Sequence, residues 1–197
     1  MQETETERSR KSTYQINPII LNRWSPRSMT GEELDNEEIM SLFEAARWAP
    51  SSYNNQPWRF IYAKRNTDHW DKLFNLLAEG NRAWAKNSAL LVVVISRKNF
   101  EYNEKPARTR QFDTGSAWEN LALEAFSRGI VAHGMQGFDY DKARSDLEIP
   151  IDFEVMAMIA MGKKGPRENL PPELKEKEQL TDRKPLKDIV MEGIYRK

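Results

Sequence analysis

Ala89-Leu90-Leu91-Val92-Val93-Val94-Ile95 contains no polar side chain and no alternation. A strand with one wet face alternates apolar and polar residues, so this unbroken, β-branched run predicts a strand covered on both faces. Upstream, Trp58 to Ala63 reads as a second strand, rich in aromatic and branched residues. A helix is expected from about Glu37 to Trp48, capped by Asp35 or Asn36, with Ile39, Leu42, Phe43 and Ala46 on one face and Pro50 as its stop. Another should start near Asp68, turn Trp70, Leu73, Phe74 and Leu77 inward, and end at Gly80.

Downstream, Thr114 to Arg128 has a broad apolar face of Trp118, Leu121, Ala122, Ala125 and Phe126, with Gly129 as terminator. Its thin polar face places this helix inside the molecule or at a subunit interface. Ile130 to Met135 and Val155 to Met161 are further strands. Asp139 to Leu147 is a short helix closed by Ile149-Pro150, and Ile189 to Tyr195 is the expected last strand. The sum is an α+β fold with a mainly antiparallel sheet of about five strands flanked by helices. Residues 1–13 read as a mobile tail ahead of one domain, 14–197. Within that domain, residues 163–197 form an extended arm and the last strand; 163–182 holds Pro166, Pro171, Pro172 and many charges but no core pattern.

The 197 residues carry 30 basic and 30 acidic side chains, a formal charge of zero. That balance removes the electrostatic footprint of a general nucleic-acid binder. Residues 1–13 and 163–187 hold 19 of the 60 charges, so the excess polarity belongs to the tail and the arm. With no cysteine, disulfides, thiolate catalysis and thiolate-held metals are excluded. Only His69 and His133 offer imidazoles, too few for a His-rich metal site. His133 is read as a hydrogen-bonded core or interface histidine and His69 as exposed. No apolar run reaches membrane-spanning length and the N-terminus is polar and acidic, so a cytoplasmic protein without membrane attachment is expected.

Self-contained catalytic motifs are missing: there is no Walker loop, no G-x-S-x-G elbow, no H-E-x-x-H and no G-x-G-x-x-G after a strand. Two constellations remain. In Asn22-Arg23-Trp24-Ser25-Pro26-Arg27-Ser28, two guanidiniums flank short hydroxyl donors, a set suited to phosphate. Taken alone, a solvated basic turn explains it better. In Ala49-Pro50-Ser51-Ser52-Tyr53-Asn54-Asn55-Gln56-Pro57-Trp58, two prolines fix a loop dense in hydroxyl and amide groups. An ordinary polar loop is the bland alternative, yet turning needs few of these groups. Trp84, Phe112 and Tyr53 are candidates for lining a planar pocket, with packing the better reading for each taken singly.

The R-x-S-x-R pattern at Arg23, Ser25 and Arg27 and the A-P-S-x-x-N-x-Q-P-W pattern from Ala49 to Trp58 resemble the nitroreductase family of flavoproteins. The resemblance continues through the helix from Thr114 to Gly129, Met135-Gln136-Gly137-Phe138-Asp139, the strand ending at Gly162, and Arg183-Lys184-Pro185-Leu186. It covers about residues 16–195 in the family's order. It implies a homodimer with FMN at the subunit interface and the C-terminal arm exchanged between subunits. Arg23, Ser25 and Arg183 would then hold the FMN phosphate and Arg27 would approach the N1–C2=O side of the ring. Pro50, Ser51, Ser52 and Asn54 would come from the other subunit, while Gln136 and Gly137 would contribute backbone contacts near N5 and O4. Asn81 matches an amide contact to the ring as well as it matches a helix C-cap and loop. Thr181 stands where many members of the family carry a second basic residue.

The implied activity is hydride transfer from NADH or NADPH through flavin N5 to a small electron acceptor, such as a nitroaromatic, a quinone or an enone, in ping-pong fashion. No side chain need serve as nucleophile or general acid. Two other readings stand beside this one. The first is a flavin-cleaving or specialised dehydrogenase member of the same superfamily. The second is a non-catalytic flavin-binding or interaction protein.

Overall fold

The structure, a computed structural model, describes residues 10–196. In chain order its helices are α1 (Pro18–Asn22), α2 (Asn36–Arg47), α3 (Trp70–Phe74), α4 (Glu79–Ala85), α5 (Arg110–Ser127), α6 (Tyr140–Asp146) and α7 (Pro172–Lys175). The strands are β1 (Trp58–Lys64), β2 (Leu90–Arg97), β3 (Ile130–Met135) and β4 (Phe153–Lys163). Contacts divide the chain into Ser25–Glu178 and a smaller unit that joins the two chain ends, Met1–Trp24 with Gln179–Lys197.

Ser25–Glu178 is built around the run that opened the sequence. β2 pairs antiparallel with β1 on one side and β4 on the other, and β4 pairs antiparallel with β3, giving the order β1-β2-β4-β3. Every residue of β2 from Leu90 to Ser96 is buried. Side chains alternate between the two faces of a strand. Leu91, Val93 and Ile95 therefore join Leu73, Leu76, Leu77, Trp84 and Ala143 from α3, α4, α6 and the α3–α4 link. Leu90, Val92 and Val94 join Ile39, Leu42 and Ala46 of α2 and Ala117, Leu121 and Ala125 of α5. The unbroken apolar run is thus the middle layer of three.

Local signals account for most boundaries. α2 starts at a capping box in which the Asp35 side chain accepts from Glu38 N at 2.7 Å and Glu38 Oε2 accepts from Asp35 N at 3.0 Å. Asp35, not Asn36, is therefore the cap. The helix expected from Asp68 to Gly80 is instead two helices, and Gly80 lies in the first turn of the second. The break has a tertiary cause. Leu77 bridges Phe138, Ala78 N donates to Gly137 O at 3.0 Å, and Asp139 N donates to Leu76 O at 2.9 Å. The backbone of residues 76–78 pairs with the chain after β3, and those bonds replace continued helix.

Among the described residues four strands form, where about five were expected. Ile189 to Tyr195 makes no strand: a 3₁₀ turn at Leu186–Asp188 leads into turns and bends, and Ile189, Val190, Ile194 and Tyr195 are exposed. An apolar segment becomes a strand only when it pairs with another, and among the described residues no strand pairs with it. The stretch 163–178, expected in the arm, belongs to the compact unit, where Leu170 and Glu178 are buried. Of the expected tail, residues 1–9 lie outside the described residues. Arg10 is only 8% exposed and is tied to Leu21, Arg23 and Thr181.

Candidate functional site

The segment Ser25–Ser28 has extensive anchors within its own unit. Glu178 Oε1 accepts from Arg27 N at 2.8 Å and from Ser28 N at 2.9 Å, and Glu178 Oε2 accepts from Arg27 N at 3.0 Å. Ser28 Oγ donates to Pro166 O at 2.5 Å. The buried carboxylate also lies 3.9 Å from Arg27 Nη1, whose side chain stays 28% exposed. A buried carboxylate needs donors and a counter-charge, and this segment provides both. Backbone and guanidinium of Arg27 are therefore fixed together by one acidic residue from the charged stretch that the sequence left without a core role.

His133 holds the same segment from the sheet. Its Nδ1 donates to Pro26 O at 3.0 Å, which leaves Nε2 as the acceptor of a neutral ring. Burial lowers its pKa from the ordinary 6.5, and the nearby Arg27 guanidinium adds to that shift against the opposing Pro26 hydrogen bond. The ring packs 4.7 Å from Trp84. His133 is hydrogen-bonded, as anticipated, but half-buried, and Trp84 is a packing residue.

From β3 the chain continues to Gln136 and Gly137, where α4 approaches. Asn81 Nδ2 donates to Gly137 O at 2.9 Å. A Cβ at position 137 would sit 2.8 Å from that same nitrogen, so any larger residue there would have to displace the Asn81 amide. Asn81 lies inside α4, which removes its reading as a helix C-cap. Arg27, Pro26, His133, Trp84, Asn81 and Gly137 thus belong to one connected group on the α4 side of the β3 edge.

The loop of residues 50–57 is elsewhere. Sheet order puts β1, which follows it, three strand spacings from β3, about 14 Å. Its shape is held internally and by α5: Gln56 N donates to Ser51 Oγ at 3.0 Å, and Ser52 N donates to Asp113 Oδ2 at 3.2 Å. Asn55 Oδ1 accepts from Glu101 N at 3.1 Å. Tyr53, Asn54 and Gln56 take left-handed backbone angles with φ of 52°, 53° and 47°. Three such non-glycine residues so close together are uncommon and persist only where surrounding structure determines them. Pro50 and Asn54 are exposed, as are Tyr53 and Phe112; the Tyr53 ring nonetheless packs edge-on against Phe100 at 5.7 Å, while the exposure of Phe112 argues against a core packing role for it.

Arg23 and Arg183 lie in the smaller unit. Arg23 is half-buried just after α1, and Arg183 is exposed beyond Asp182. Glu178, Asp113 and Arg10 are the positioning residues that sequence reasoning missed. Each looks like one charge among many in its own stretch; only tertiary burial distinguishes it.

A family model described as the nitroreductase family matches residues 20–84 and 77–163. The chain belongs to the nitroreductase family. Among solved structures, this nitroreductase-family chain is similar to an oxidoreductase containing FMN, with 41% identity, 97% of each chain covered and a TM-score of 0.92. A nitroreductase family protein from Clostridium difficile shares the fold, with a TM-score of 0.67, 22% identity, and 90% of this chain and 97% of that one covered. Among curated relatives, DrgA of Synechocystis is 28% identical over 163 residues, which is 66% of this chain and 75% of DrgA. An Archaeoglobus fulgidus relative, named provisionally as an NADH dehydrogenase or NAD(P)H nitroreductase, is 28% identical over 73% of this chain and 82% of its own length.

Proposed function

We propose that this nitroreductase-family protein is an FMN-dependent oxidoreductase that moves hydride from NADH or NADPH to a small electron acceptor such as a nitroaromatic, a quinone or an enone. The residues present fit the cofactor's chemistry. A flavin mononucleotide asks for cations at its phosphate and for polar groups around the ring carbonyls. In the smaller unit, Arg23 and Arg183 supply cations for the phosphate. In Ser25–Glu178, Ser25 adds a short hydroxyl, and Arg27, Asn81, Gln136 and Gly137 supply the groups for the ring. When bound, FMN supplies a hydride-accepting N5 and the capacity to hold two electrons between donor and acceptor. Arg27, fixed by Glu178, offers a preorganised positive charge where negative charge develops on reduction, the placement that costs no reorganisation during reaction. Nicotinamide donor and acceptor then use one site in turn, which gives ping-pong kinetics.

The observation that carries this reading is the Glu178-anchored Arg27 together with the Asn81–Gly137 contact, in a chain 41% identical to an FMN-containing oxidoreductase. Two features support a homodimer with an exchanged arm: the exposed apolar side chains of residues 189–195, and the roughly 14 Å between the edge strand after the Ser51–Asn54 loop and β3. The test is an absorbance spectrum of purified protein, repeated after anaerobic NADH, then NADPH, then an acceptor. A flavin spectrum that bleaches with a nicotinamide and recovers with the acceptor is expected. Colourless protein that takes up no FMN overturns the reading.

A further inference from the structure

Arg10 is the least expected residue of the smaller unit. It falls in a stretch with no hydrophobic pattern, yet its side chain is buried and its guanidinium bridges three backbone carbonyls. Nη1 donates to Leu21 O and to Arg23 O, each at 3.0 Å, and Nε donates to Thr181 O at 3.0 Å. Leu21 lies in the last turn of α1, whose carbonyls lack intrahelical partners. One guanidinium therefore joins the end of α1, the backbone of Arg23 and the chain two residues before Arg183.

Burial lowers the Arg10 pKa first, then the positive charges of Arg183 and Arg23; Asp182 is the carboxylate that opposes them. The charges of Arg23 and Arg183 both act on the Arg10 guanidinium, and an anion placed near the three would relieve part of that repulsion. Arginine keeps its charge even when buried, so the repulsion is not relieved by deprotonation.

We propose that Arg10 is a positioning residue for the phosphate of the cofactor: by fixing the carbonyls of Leu21, Arg23 and Thr181 with one fork, it sets the backbone that presents Arg23 and Arg183 to a dianion. This rests on the FMN reading above and adds a residue to it. The buried guanidinium also brings a cation to the neighbourhood of Thr181, whose own side chain has none. Arg10 itself, being buried, works through the other two arginines.

The test uses the full chain, freed of bound flavin, and titrates FMN and riboflavin separately into each preparation by flavin fluorescence. The two ligands differ only in the phosphate. Titrating both into one preparation means that a reduced folded fraction lowers the number of sites without changing the affinity ratio. Arg10→Met and Arg10→Gln are expected to weaken FMN about tenfold or more while riboflavin changes by less than about twofold. Adding Arg10→Met to Arg23→Met plus Arg183→Met should then cost little further FMN affinity, because the groups it orients are gone. If either single variant keeps the wild-type preference for FMN, Arg10 does not act on the phosphate and the proposal fails. Equal, general loss of both flavins also overturns it, since that is what mere structural damage gives. Wild-type protein that binds neither flavin would sink the FMN reading itself, and this inference with it.

Discussion

Asn81 and Gly137 show how one atom constrains two positions. The amide nitrogen lies 2.8 Å from where a Cβ on residue 137 would sit, and it donates to that residue's carbonyl. Gly137→Ala should therefore push the amide away and break the hydrogen bond, destabilising the protein by about 1–2 kcal/mol in chemical denaturation. Combining it with Asn81→Ala should recover part of that loss; an additive double variant would refute the steric account. His133 gives a pH effect whose sign follows from its lowered pKa. The folded state resists protonation, so the unfolded chain binds the extra proton. The stability is fully present above the ordinary value of 6.5 and is lost as pH falls below it toward the folded pKa. His133→Asn can keep a donor to Pro26 O without titrating in this range. Its Tm should accordingly fall less than wild type's between pH 7 and 5.

At the scale of elements, helices begin where side chains cap them and stop where tertiary partners claim the backbone. Removing the capping box by Asp35→Ala should cost about 1 kcal/mol, measured by urea denaturation with an unchanged m value. The α2 cap was legible in the sequence because the Asp35–Glu38 spacing is local. The break between α3 and α4 was not. Residues 76–78 retain helical periodicity, and only their hydrogen bonds to residues 137–139 interrupt it. Gly80, read as a terminator, sits in a helix for the same reason. The Ser51–Gln56 loop falls between these cases: its prolines and polar residues announced a held shape, but the buried Asp113 that helps hold it is contributed by α5.

For the whole molecule, the apolar C-terminal segment decides the assembly prediction. Deleting residues 186–197 removes exposed Leu186, Ile189, Val190, Ile194 and Tyr195 while leaving Ser25–Glu178 complete. The full chain is expected to sediment as a dimer and the deleted protein as a monomer. A truncated protein that remains dimeric would exclude arm exchange. Cutting at 163 instead is uninformative, because it also removes buried Leu170 and Glu178. Among the described residues no helix is long and apolar enough to cross a membrane.

Sequence by itself determined the layered sheet and the family. An unbroken apolar run can satisfy its side chains only between two covered faces, and ordered short motifs survive as local chemistry. It also marked Arg23, Ser25, Arg27 and Gly137, because charge, short hydroxyls and missing side chains are visible one residue at a time. Tertiary structure alone decided which charges matter. Arg10, Asp113 and Glu178 differ from their many charged neighbours only in being removed from water, and burial is a property of the folded chain. It likewise decided that residues 189–195 stay outside the sheet, since a strand exists only when an edge is available to pair with it.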